Sequence, residues 1–206
     1  MKLIVFGASG GTGKLVVEKA LEQGHEVTAF VRSPEKLGIT RGRLSVVPGD
    51  IKDPDAVMRS VAGHDAVLAM INTQDDLPMF EIATRNILAA LAAHGVRKFL
   101  YVSSFGVPDG YERDPYYEEN FRQGSLKEQY AAVRRAEALI QASDLDWILV
   151  RPPLLLDTPP IGLGNVRIVD VPPLDMQMIS RADLADYILM AVQDPKYIRT
   201  GMFVGN

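Results

Sequence analysis

The sequence predicts a doubly wound α/β fold, a mostly parallel sheet with helices on both faces. Three observations predict it. Short apolar runs alternate with helix-patterned stretches along the chain. Those runs are continuous rather than alternating in polarity, as strands covered on both faces are. The first of them, "KLIVF", leads straight into a glycine-rich turn. Strands are expected at 2–6, 26–31, 44–47, 66–71, 98–103 and 146–150, with helices at 11–23, 53–60, 79–94, 126–142 and 182–193. Right-handed crossovers then order the strands 3-2-1-4-5-6.

The chain has 206 residues, enough for one domain with a substantial core, and no repeat, low-complexity segment or linker divides it. Residues 1–206 are therefore read as a single domain. A net charge of −4 with scattered Lys and Arg argues against nucleic-acid binding. The lack of cysteine excludes disulfides, thiolate metal sites and cysteine nucleophiles. The chain opens directly on a strand without a leader pattern, and its apolar runs are too short to span a bilayer. A cytoplasmic protein without membrane partners is expected, as a monomer or weak homodimer.

The stretch "GASGGTGK" carries the first chemical signal. Gly7, Gly10 and Gly13 stand in G-x-x-G-x-x-G spacing between a strand and a helix. Gly7 allows the tight turn, Gly10 a close approach of backbone to a pyrophosphate, and Gly13 close packing of helix on sheet. Amide groups at the helix start, around Gly11, favour negative charge, and Ser9 and Thr12 offer hydroxyl donors. The spacing is not that of a nucleoside-triphosphate P-loop. It points to a single-domain Rossmann fold that holds a dinucleotide; the alternative is a plain glycine turn.

The second strand ends in "FVRSPEKL", where an NAD-binding chain usually carries Asp or Glu for the ribose hydroxyls. Here Arg32 and Ser33 stand instead, with Lys36 nearby. A guanidinium matches a 2′-phosphate, so NADP(H) is expected in preference to NAD(H). The alternative is a solvated arginine. After the third strand, Asp50 can accept from an adenine amino group while Ile51 packs on the ring; Asp50 is also placed to serve the start of the next helix.

Two stretches break the strand–helix rhythm, 107–125 and 152–178. Both leave carboxyl ends of strands, where open α/β sheets bind ligands, and their aromatic and proline content suits a pocket wall or lid. Ordinary long surface loops are the alternative.

In "GASGGTG", "VRSPEKL", "GDIKDPDAV", "AGHDAVL", "NILAALAAHGVRKFLYVSS", "SDLDWILVRPP" and "ISRADLADYIL" the chain resembles the atypical short-chain dehydrogenase/reductases with NAD(P)-binding NmrA-like domains. Within them it looks most like the biliverdin-IXβ reductase (flavin reductase) group. The resemblance implies an NADPH-dependent reductase of flavins or tetrapyrroles. It assigns the glycine loop, Arg32, Ser33 and Asp50 to the cofactor, Ser104 to the nicotinamide end, and Arg151, Pro152 and Pro153 to the carboxamide. Two positions depart from that group: Leu154 replaces a histidine and Gln74 an arginine.

The superfamily's usual acid is Tyr in Y-x-x-x-K. This chain has Tyr130 followed by Arg134, which supplies charge but cannot relay a proton. Tyr130 is thus a candidate acid or a packing residue. His25, His64 and His94 each join a helix to the next strand, at the sheet edge opposite the cofactor, so neither histidine catalysis nor a metal site is expected. Near the carboxyl edge remain Asn72, Thr73, Ser103, Ser104, Asp157 and the tyrosines of 107–125. Ser104 would orient the nicotinamide or substrate, or else cap the turn. Few acids suit a conjugated acceptor, flavin or tetrapyrrole-like, that takes its proton from solvent. The other readings are a non-catalytic NADP(H) sensor acting through a protein partner and a nucleotide-sugar-type epimerase.

Overall fold

The structure, a computed structural model, describes residues 1–112 and 114–206; Arg113, inside the 107–125 stretch, lies outside the described residues. The chain begins with β1 (Lys2–Phe6), α1 (Gly11–Glu22) and β2 (Glu26–Val31), followed by β3 (Leu44–Pro48), α2 (Pro54–Val61) and β4 (Ala66–Ala69). Next come α3 (Pro78–His94), β5 (Lys98–Val102), a short α4 (Pro115–Tyr117), α5 (Lys127–Gln141) and β6 (Asp146–Arg151). The remainder is β7 (Leu154–Leu156), β8 (Arg167–Val169), β9 (Met178–Ser180), α6 (Arg181–Gln193) and β10 (Thr200–Gly205).

The main sheet runs β3-β2-β1-β4-β5-β6-β10-β8. Its first six strands follow the expected order and are parallel, as are β6 and β10, while β8 is antiparallel. In β1, Leu3 and Val5 face a core built with Val16 and Val17 of α1 and Leu184 and Ile188 of α6. Ile4 and Phe6 face the other core, built with Val57, Ile87, Leu91, Ala136 and Ile140 of α2, α3 and α5. Successive strand residues point to opposite faces, so burial of both explains why the strand sequences are apolar throughout. No described helix is long and apolar enough to cross a membrane.

The two irregular stretches carry more order than their sequences announce. The 152–178 stretch is bracketed by β7 and β9, which form a parallel two-stranded sheet, Leu154 opposite Met178 and Leu156 opposite Ser180. It also contributes β8 to the main sheet. In 107–125, the Asp114 carboxylate caps α4 by accepting from the Tyr117 amide, and a π-helical run, Glu118–Ser125, follows with its kink at Gly124. Neither stretch is simply a loop.

Candidate functional site

A cavity of about 860 Å³ opens along the carboxyl edge of the sheet. Gly7 and Gly10 to Gly13 line one end of it. Gly7 has φ +80°, and a Cβ there would lie 2.1 Å from the Met70 carbonyl oxygen; one on Gly13 would lie 2.1 Å from that of Gly7. The turn between β1 and α1 is therefore bare backbone by steric necessity, not by composition alone. Gly10 precedes the helix without capping it through a side chain, and the first turn of α1 holds no acid. That leaves the positive end of the helix without an internal anion of its own.

The middle of the cavity is lined by Asn72, Ser103, Ser104, Pro152 and Pro153. The Ser103 amide donates to Val150 at 2.8 Å, which ties the end of β5 to β6. Its hydroxyl oxygen is buried without a hydrogen-bond partner among the described residues. That oxygen is closed off from solvent, so Ser103 meets the cavity through its other atoms.

The far wall is apolar and aromatic: Phe105, Tyr116, Tyr117, Phe121, Leu154 and Met176. Tyr117 stacks on Phe121 with centroids 5.8 Å apart and meets Phe105 edge-on at 5.6 Å. Its hydroxyl lies 2.8 Å from that of Tyr130, whose buried ring presses on Gly106 so closely that a Cβ there would collide with it. These rings brace one another and make that wall of the cavity apolar.

Several sequence-derived expectations change here. Arg134 does not sit at Tyr130. Its guanidinium donates to the Val107 carbonyl from Nε and Nη2, at 2.9 and 2.7 Å, and pairs with Asp109 at 3.0 Å. The Y-x-x-x-R spacing instead ties α5 to the strand-end segment. Arg151 is not brought to the cavity at all. It is buried, and its Nε and Nη2 donate to the Glu137 carboxylate at 3.0 and 2.8 Å. Its neighbours Pro152 and Pro153 do line the cavity, because the turn after β6 redirects the chain.

The remaining candidates lie outside the cavity walls. Ser9 is half-buried beside the glycine turn, and Arg32, just past β2, is exposed and forms no ion pair among the described residues. Ser33 follows it, half-buried, at the start of a short 3-10 turn. The Asp50 carboxylate accepts from the Lys52 amide at 2.9 Å, while helix α2 is capped by Asp53. The Ile51 carbonyl accepts from Asn86, and the Thr73 hydroxyl accepts from the Asp76 amide at 3.2 Å. Lys52 pairs with Asp76 at 2.8 Å, and that hydrogen bond raises its pKa against a small opposing influence of the Arg32 charge. Arg32 and Lys52 thus add positive charge to the edge beyond β2 and β3.

The histidines stand at the opposite edge. His64 Nε2 is 2.8 Å from the Thr28 hydroxyl, and His94 Nε2 is 2.8 Å from the Met58 carbonyl. Among the described residues, no three His, Cys, Asp or Glu side chains gather as metal ligands.

One residue the sequence reading left without a role is Arg181. It follows β9 directly, lines the cavity, and lies over Gly11. Its signal was present in "ISRAD", but the fold of 152–178 was needed to bring it across to α1.

A family model described as NAD(P)H-binding matches residues 7–195. The 2-alkyl-3-oxoalkanoate reductase of Stenotrophomonas maltophilia is 32% identical over 172 residues, which are 75% of this chain and 51% of that protein. The chain spans about half to three-fifths of the length of the curated relatives it matches. Among solved structures, ChuY, an anaerobillin reductase from Escherichia coli O157:H7, superposes with a TM-score of 0.81 at 20% identity, over 99% of this chain and 96% of that one. A short-chain dehydrogenase/reductase from Veillonella parvula in complex with NADP gives 0.84 at 18%, over 100% and 94%. At those identities the likeness is one of fold. The glycine turn lies within the stretch that the family model matches, and its two sterically obligatory glycines and uncapped helix suit a dinucleotide: the chain belongs to the NAD(P)H-binding family.

Proposed function

We propose that the protein is an NADPH-dependent reductase of a flavin or another conjugated small molecule. The observation that carries this reading is the cavity that runs from the glycine turn, past Ser103 and Ser104, to the aromatic wall of Phe105, Tyr117 and Phe121. Arg32 and Ser33 hold the 2′-phosphate, and the amides at the start of α1 take the diphosphate. Ser104 orients the nicotinamide end, with Ser103 beside it in the cavity wall. The dinucleotide, when bound, supplies a hydride. The aromatic wall holds the acceptor ring flat and excludes water, so that the protein's contribution is chiefly positioning. The reductase name of the Stenotrophomonas relative supports a reduction, with an acceptor that takes a hydride.

The test is loss of nicotinamide absorbance when purified protein meets NADPH with riboflavin, FMN, FAD or biliverdin, with NADH in parallel. Saturable, acceptor-dependent oxidation of NADPH supports the reductase. The withdrawal of Arg134 from Tyr130 favours a second reading, a non-catalytic NADP(H) sensor that acts through a protein partner. Tight NADPH binding without turnover across that acceptor panel would favour it.

A further inference from the structure

Arg181 is the only cationic side chain among the described residues lining the cavity. Two independent structural features aim it at the glycine turn. The first is the parallel ladder of β7 and β9: Leu156 lies opposite Ser180, so Asp157 and Arg181 leave the paired strands side by side. They meet as an ion pair, Nη1 to Oδ1 at 2.8 Å. The second is the packing of α6 along α1, fastened lower down by Lys19 and Asp186 at 2.8 Å. It lays the Arg181 side chain across the start of α1. A Cβ added at Gly11 would lie 3.1 Å from both Cδ and Nε of Arg181. Arg181 therefore lies in close contact with Gly11, and its guanidinium adds a full charge where the amides of α1 offer partial ones.

The Asp157 partner is unlike the other end of the pair. Its side chain is 85% exposed, against 26% for Arg181. A solvated carboxylate holds a guanidinium weakly, whereas a diphosphate brings more charge and fits the planar fork.

We propose that Arg181 is a ligand of the cofactor's diphosphate, and that Asp157 is the internal anion it exchanges for that group. The proposal rests on the nicotinamide-dinucleotide reading above. Binding then breaks the Asp157 pair, so cofactor affinity depends on a carboxylate that never touches the cofactor.

The experiment is fluorescence titration of the wild-type protein, Arg181→Met and Asp157→Asn with NADPH and, separately, with adenosine 2′-monophosphate, which lacks the diphosphate. Arg181→Met should weaken NADPH by about tenfold or more while leaving 2′-monophosphate binding within twofold. Asp157→Asn should tighten NADPH by about two- to fivefold, since it frees Arg181. NADPH affinity unchanged in Arg181→Met, or equal losses for both ligands, would overturn the diphosphate assignment. A loss of NADPH affinity in Asp157→Asn would make the pair a brace rather than a competitor and overturn the exchange. If the wild-type protein binds neither ligand, the dinucleotide reading itself fails and this assignment falls with it; wild-type binding with unaffected variants sinks only Arg181.

Discussion

Arg151 and Glu137 face each other through two hydrogen bonds of 3.0 and 2.8 Å, with both side chains less than a tenth exposed. Arg151 also donates to the Gly201 carbonyl at 3.1 Å and lies over the Phe203 ring. The pair locks α5 to β6 and β10 without itself lining the cavity. Removing one partner leaves a buried charge unpaired. Arg151→Met should therefore destabilise the fold by about 3–5 kcal/mol in urea melts, and Arg151→Met with Glu137→Met should recover much of that. NADPH affinity of the folded protein should hold; a selective loss of affinity without loss of stability would return Arg151 to the cofactor.

Arg32→Ala should weaken NADPH by about 10- to 100-fold and NADH by little, because only the former carries the 2′-phosphate. Isothermal titration with both dinucleotides decides this. Equal losses would mean that Arg32 serves the fold or the adenine rather than the phosphate.

The two adjacent serines should separate. Ser103 has a hydroxyl that is closed off from solvent and has no partner among the described residues, so Ser103→Ala should leave NADPH affinity within about twofold. Ser104→Ala should lower turnover more than cofactor affinity. Steady-state kinetics beside direct binding would show it, and unchanged turnover would make Ser104 a turn residue.

His25 supplies a pH dependence of stability. Burial lowers its pKa below the ordinary 6.5. The unfolded chain therefore takes up a proton at this site before the folded chain does. Its stability contribution is complete above pH 6.5 and declines as pH falls through that value toward the folded pKa. Urea midpoints between pH 7.5 and 5.5 should drop more steeply for the wild-type protein than for His25→Gln. Parallel slopes would show that His25 does not carry the effect.

Much of this was legible because it is local. The continuous apolar strands, the spacing of Gly7, Gly10 and Gly13, and the helix register of α1 to α3 each need only neighbouring residues. What escaped is set by pairing at long range. β10 reads "TGMFVG", too glycine-rich to announce a strand until β6 lies beside it, and β7 is three leucines after two prolines. Arg151 was misjudged because the pleat of β6 sends its side chain to one face while the cofactor edge lies ahead of the strand, and its partner Glu137 sits on α5. Arg134 was misjudged because helical spacing puts it on the same face as Tyr130, yet the Val107 carbonyl captures it.

β10 enters the sheet between β6 and β8, and it is made from residues 200–205. Without it β6 presents a bare row of amide and carbonyl groups, β8 has no neighbour in the main sheet, and Arg151 lacks the Gly201 carbonyl. An open parallel edge of that kind invites pairing with other chains. A form that lacks residues 200–205 would therefore keep that edge open and self-associate through it.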